Sequence, residues 1–382
     1  MDTERNIQVA QKLIDDFLIR TGISDPAGNP RQRYLWTDAF AVQACFALSH
    51  LLDNENYHQH AISLINKVHA ILGRHRQDDP RQGWLSGLPE EEGKLHPTIN
   101  GLRIGKDLPD RSEKGVFDRS SEWNRDGQYF HYLTRWFNAL LQTFNETKEK
   151  NYAIWAAELI EAGKKFFVKE RGDLRMVWKM NVDLTRAMVE SMGAHDPLEG
   201  LICVNSAIEA VPGSKPELKD FKEDLEIICR NMNWVTDDAL GIGGLLLNTT
   251  RTAEMKQNKK MLPASIRPES LYLDSLAGLQ VYANHIYNPD VAARSRLAFR
   301  ECGLCLGFRT LHGLKNQFGE LDINLNKLEE YHSMTNEIEE FWMNDSNQKA
   351  ATWTEHLDIN AVTLASTLLA RDYPRAFSPE PG

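Results

Sequence analysis

Apolar residues recur along this chain at the i, i+3, i+4 spacing of an α-helix, and strict strand-like alternation is almost absent. Residues 5–20 set Ile7, Ala10, Leu13, Ile14, Phe17 and Leu18 on one face and Gln11, Asp15 and Asp16 on the other, which predicts a helix covered on one side. Residues 39–48 are instead apolar nearly all round, a pattern that a helix sustains only when neighbours surround it. Residues 57–73 turn one-sided again. The rhythm predicts further helices at 126–144 with 152–167, 183–192 with 197–211, 218–232 with 238–247, 270–285 with 289–303, and 321–343 with 354–371. Short turns rich in Gly, Pro, Asn and Asp separate them, and no linker marks a boundary. The expectation is an all-α chain forming a single domain over residues 1–382.

Helical pairs of this repeat length stack into an open solenoid or close into a ring. Segments apolar on every side near both chain ends, at 39–52 and 361–370, favour a closed ring of about six hairpins, because both ends then supply inner wall. One stretch breaks the rhythm. Residues 77–125 carry Pro80, Pro89, Pro97 and Pro109 and only a short strand-like piece, Gly101-Leu-Arg-Ile-Gly105. Irregular segments of that length in compact proteins usually bind or cover something, so this one is expected to cover part of the ring's mouth. Its tail mixes Arg111, Lys114, Arg119 and Arg125 with Glu113, Asp118 and Glu122.

Charge and composition narrow the partners. Lys and Arg total 44 against 54 Asp and Glu, a net charge of −10 with no basic stripe, which argues against nucleic acid and anionic membranes. Acidic residues interrupt the first twenty positions where a secretory signal needs an apolar run, and no stretch approaches the ~20 uncharged apolar residues of a membrane span. Five scattered cysteines suit reduced thiols better than a disulfide framework. The expected setting is cytoplasmic, and no pattern fixes an oligomeric state.

The chemistry lies in how acids and aromatics fall at predicted starts of fully apolar helices. Trp36-Thr-Asp38-Ala39, Glu122-Trp-Asn-Arg-Asp126-Gly-Gln-Tyr129, Asn181-Val-Asp183 and Thr354-Glu-His356-Leu-Asp358 would all reach one mouth in a closed ring. Carboxylates that bond hydroxyls and move protons, beside flat rings that cover a pyranose, fit a small carbohydrate or polyol ligand. Asp38 and Asp126 are the expected acid/base pair, with Glu122 and Asp183 as further catalytic candidates. Trp36, Trp123 and Tyr129 are the expected sugar platform, with Arg125 and His356 as polar substrate contacts. Each Asp also has a structural reading, because Asp caps helix N-termini. A general acid there needs burial or a neighbouring carboxylate to hold its proton, which Glu122 or Asp38 would supply for Asp126.

The alternation of outer and inner helices, with acids at the inner starts, resembles the six-hairpin glycosidase superfamily, the (α/α)6 toroids. Trp36-Thr37-Asp38-Ala39 is similar to the Trp-x-Asp-Ala element of the unsaturated glucuronyl and rhamnogalacturonyl hydrolases, whose Asp is the catalytic acid/base, although it falls here in the first inner helix. Asp126-Gly-Gln-Tyr129, followed by Tyr132 and Trp136, resembles an inner-helix start of the same proteins. The resemblance implies a glycoside hydrolase that needs neither cofactor nor metal. The N-acylglucosamine 2-epimerase branch shares the toroid and pairs histidines as acid and base, a part open here to His312, His332 and His356. Cys302-Gly-Leu-Cys305 with His312 resembles the zinc set of lanthionine-synthetase-like toroids, although two small residues packed on one helix face show the same spacing. Asp237-Asp238 resembles the paired Asp of some toroidal mannan hydrolases, and Gly241-Ile-Gly-Gly244 lacks the Lys-Ser/Thr ending of a phosphate loop. From another class, the ring would be a non-catalytic binding or scaffold protein whose acids only cap helices.

Overall fold

The computed structural model describes all residues except 1–2, 26–32, 112–114, 171–172, 212, 214–215, 231, 261, 264–265, 316–324 and 381–382. The start of the helix expected from 321 therefore lies outside the described residues. Twelve long helices follow one another: α1 (Thr3–Arg20), α2 (Leu35–Leu52), α3 (Glu55–Leu72), α4 (Phe130–Thr147), α5 (Lys150–Ala162), α6 (Asp196–Ala210), α7 (Pro216–Cys229), α8 (Ala239–Gln257), α9 (Pro268–Val281), α10 (Ala298–Gly313), α11 (His332–Met343) and α12 (Leu357–Ala370). Odd-numbered helices bury one face, and even-numbered ones are buried on nearly every side over most of their length. That alternation makes six hairpins, as the apolar pattern requires. The helix α2 is long and apolar enough to cross a membrane, yet 78% of its apolar window is buried inside the structure.

Two expected helices are corrected. Residues 183–192 hold a turn and a strand, because the Asn181 side chain accepts the Thr185 and Arg186 amides at 2.8 and 2.9 Å and folds the chain back on itself. The one-sided mate of α6 is therefore α5, and that of α4 is α3. Residues 289–297 are a connection, with α10 beginning only at Ala298. Short strands also appear: β1 (Gln128–Tyr129), β4 (Lys179–Met180) and β5 (Ala187–Val189) form one antiparallel sheet, and β2 (Phe167–Glu170) pairs with β3 (Asp173–Met176).

The chain forms two compact units, each built from separated segments. The first comprises Met1–Arg20, Gln43–His60 and Met232–Glu380, and the second Thr21–Val42, Ala61–Asn231 and Pro381–Gly382. Because each unit collects its segments from several parts of the chain, no linker betrays the division in sequence.

In the first unit, α8 and α12 both pack along α10, and α1 packs on α12. The Gly-rich run at 241–244 finds its use here. A Cβ on Gly243 would stand 2.1 Å from the Gly303 carbonyl oxygen, and one on Gly307 would stand 2.2 Å from that of Gly243. Helix backbones so close tolerate no side chain. Gly307→Ala is expected to cost roughly 1–3 kcal/mol through overpacking, read as a lower urea midpoint.

In the second unit, α4 packs on α5 and α6, and the 77–125 segment is tied down by backbone bonds. The Arg103 amide donates to Leu72 O (3.0 Å), that of Ile104 to Gly127 O (2.8 Å), and that of Leu35 to Ile104 O (3.0 Å). Gly105, at φ +94°, lies against the Arg33 carbonyl, where a Cβ would come within 1.9 Å of the oxygen. The segment includes two one-and-a-half-turn helices, Glu90–Leu95 and Arg119–Asn124, and is anchored more firmly than a structureless loop.

Candidate functional site

Three of the four carboxylates expected to be catalytic are buried inside the second unit. Asp38, in the first turn of α2, is 1% exposed and paired with the equally buried Arg33, whose Nε donates at 2.9 Å while Nη1 bonds Thr21 O. Asp126 is fully buried. Its Oδ2 accepts from Arg103 Nη1 at 2.5 Å and its Oδ1 from the amides of Gly105, Lys106 and Gly127. Arg103 spends its other donors on Arg74 O and Ile71 O, so this pair fastens both Arg103 and Asp126 to the end of α3. A carboxylate with its acceptor sites so occupied holds the backbone rather than moving protons. Glu122 is also fully buried, accepting from Arg111 at 2.7 Å and Arg186 at 3.4 Å.

The expected aromatic residues divide. Trp36 is buried against Phe40. Trp123 and Tyr129 join a run that the sequence reading left incomplete: Trp123 meets Trp178 edge-on at 5.0 Å, Tyr129 lies 5.1 Å from Tyr132, and Tyr132 bonds Tyr34 through their hydroxyls at 2.7 Å. Trp136 leaves this run and donates to His69 in the core. Under the run sit two amines. Lys179 is buried, bonds the Glu122 and Arg125 carbonyls, and is pushed down to about 7 by burial, with Lys106 adding repulsion. Lys106 reaches the Trp123 carbonyl and the Tyr129 hydroxyl. These lysines close the helix at Arg119–Asn124, while Arg125 bonds Pro109 O at 3.1 Å.

Asp183, the fourth expected acid, lies in the wall of a cavity of about 800 Å³. That volume suits a ligand of several rings. One wall is the 77–125 segment, through Asp79, Arg81, Asp110 and Arg111, and the other is the turn after β4, through Asn181, Asp183 and Arg186. The charges interlock. Arg81 bridges Asp79 and Asp183, Arg186 reaches Asp110 at 3.3 Å, and Glu122 behind the wall aims Arg111 and Arg186. Asp110 accepts the Val182 amide at 3.2 Å, so it stands against the backbone just before Asp183, and burial raises its affinity for a proton. Asp110 was missed from the sequence, and only its place between Pro109 and Arg111 in the odd segment signals it.

A second acid pair opens α6. Glu199 accepts from Arg135 at 2.5 Å and Thr134 at 2.8 Å. Asp196, 4% exposed with Oδ2 unpartnered, is pushed up to about 8 by burial and then by Glu199. A carboxyl raised in the folded state withdraws stability as pH climbs from its unfolded value near 4 to about 8. Asp196→Asn is therefore expected to leave stability unchanged at pH 4 and to raise it at pH 8, by up to about tenfold in the folding constant per pH unit crossed, in urea titrations at both pH values.

In the first unit, Asp238 caps α8 through the Gly241 amide at 2.9 Å and pairs with Arg300. His356 precedes α12 with its ring 6.2 Å from Phe299, at the start of α10. His312 and His332 meet at 5.8 Å near the other end of α10, with His312 on Glu329 and Lys315. Thirteen helical steps lead from Phe299 to His312, roughly 20 Å, so His356 and His312 do not share one sugar. Cys302 and Cys305 are fully buried in α10, and among the described residues no group of His, Cys, Asp and Glu is arranged to hold a metal.

No protein-family model matches the sequence, and no curated protein matches it. Solved structures do match. A GH76A α-1,6-mannanase from Salegentibacter sp. HEL1_6 superposes with a TM-score of 0.52 at 11% identity, covering 98% of this chain and all of that one. An inactive double-aspartate variant of that mannanase, in complex with α-1,6-mannotetrose, gives 0.54 at 12% identity, with 98% and 100% coverage. A cellobiose 2-epimerase from Spirochaeta thermophila DSM 6192 gives 0.49 at 11%, covering 97% and 98%. At this identity the likeness concerns the fold, and the fold is the all-α (α/α)6 toroid of six helical hairpins.

Proposed function

We propose that this chain is a carbohydrate-active enzyme, a glycoside hydrolase whose site is the 800 Å³ cavity of the second unit. The observation that carries the reading is that two carboxyls in unlike surroundings line one cavity: Asp110, which burial keeps protonated to higher pH, and the more open Asp183 on Arg81. Pairs of acids driven apart by their surroundings are how acid and base roles are divided. Asp110 is assigned as proton donor to the leaving oxygen and Asp183 as base or nucleophile. With every lining arginine already engaged by a carboxylate, the cavity suits a neutral, polyhydroxylated ligand. Asp196 is a weaker choice for the donor, because its unpartnered oxygen is enclosed. The reading is not extended to unsaturated uronides, since the Trp36–Ala39 element spends its Asp on Arg33.

The likeness to the mannanase makes α-1,6-mannotetraose the first probe. Calorimetric binding and release of new reducing ends by the intact protein are expected, with Asp183→Asn keeping binding and losing release. A protein that neither binds nor cleaves this or other neutral oligosaccharides would overturn the reading.

A further inference from the structure

The first unit has a cavity of its own, about 330 Å³, whose lining includes Asp237, Asp238, Tyr282, Tyr287, Arg296 and Arg300. Most of its charge is already engaged. Arg296 grips Glu301 with Nε at 2.9 Å and Nη2 at 2.8 Å, and Trp342 Nε1 donates to the same carboxylate at 2.7 Å. Asp238 is taken up by the α8 cap and by Arg300. With those two pairs cancelled, the lining keeps one negative charge, that of Asp237, which is exposed and has no hydrogen-bond or ion-pair partner among the described residues.

A second, independent feature lies on the same wall. The end of α9 winds into a π-helical turn, Tyr282–Ile286, closed by the Tyr287 amide on Tyr282 O at 2.8 Å. That turn brings two tyrosines five residues apart round to one side, with ring centroids 6.2 Å apart and planes tilted by 34°. Such turns are rare and gather at functional sites. Tyrosine faces attract cations and cover apolar ring surface, and the volume admits one small ring.

We propose that this cavity binds a compact ligand with a protonated amine and an apolar face, of the amino-sugar class, its ammonium on Asp237 and its ring against Tyr282. The site lies in the other unit from the proposed hydrolytic cavity and stands without it. It is tested on the full chain by ligand-observed NMR titration with D-glucosamine, D-glucose and N-acetyl-D-glucosamine. Glucosamine is expected to bind roughly five- to tenfold tighter than the two neutral sugars. The preference should vanish in Asp237→Asn and shrink at ~1 M salt, where screening reaches about 3 Å. Tyr282→Leu should weaken all three. Equal affinity for the three sugars, absence of glucosamine binding, or a preference that survives Asp237→Asn overturns the proposal.

Discussion

Replacing Asp126 by asparagine is expected to remove roughly 3–5 kcal/mol of stability, because it leaves the Arg103 guanidinium buried without its anion. The amide can keep accepting from the Gly105, Lys106 and Gly127 amides, so the loss belongs to the missing charge. Arg103 retains Arg74 O and Ile71 O as acceptors, which pulls the cost toward the lower end of that range. Urea denaturation should show a lower midpoint with an unchanged slope. Pairing Asp126→Asn with Arg103→Met should recover part of the loss, since removing both charges leaves no uncompensated ion. An Asp126→Asn protein as stable as the parent but unable to cleave its oligosaccharide would return Asp126 to the acid/base role expected from its sequence context.

That expectation shows where sequence reading stops. Periodicity revealed the helices because apolar spacing is a local consequence of which face is buried: Ala39–Leu48 and Ala361–Ala370 are covered on all sides, as their composition demands. The same reasoning misread 183–192, where one Asn side chain outweighs weak periodicity by bonding two amides. The acids were harder. Asp38 and Asp126 share the helix-start setting of catalytic acids, and what engages them in the fold is the approach of Arg33 and Arg103, the latter 23 residues before its partner. Asp110 lines the cavity instead. Beyond its place in Leu108-Pro-Asp-Arg111, nothing distinguishes it until the turn after β4, 72 residues on, brings the Val182 amide to its carboxylate. The 77–125 segment was legible as an irregular stretch, since prolines and glycines forbid a long helix there, but its internal anchoring was not.

The two cavity acids should also separate kinetically. Asp110→Asn is expected to lower kcat on α-1,6-mannotetraose by roughly 10²–10⁴-fold with little change in KM, because the lost proton matters only as the leaving oxygen develops charge. Its pH profile gives the sign. Burial raises the Asp110 carboxyl, so kcat/KM in the parent should fall as pH climbs through that raised value, where the donor loses its proton. Arg186→Met provides the internal control. Removing the cation 3.3 Å from Asp110 disfavours its ionised form, so the alkaline limb should move to higher pH. A profile in which Arg186→Met leaves the alkaline limb in place would detach Asp110 from the proton-donating step, even if Asp110→Asn proved inactive.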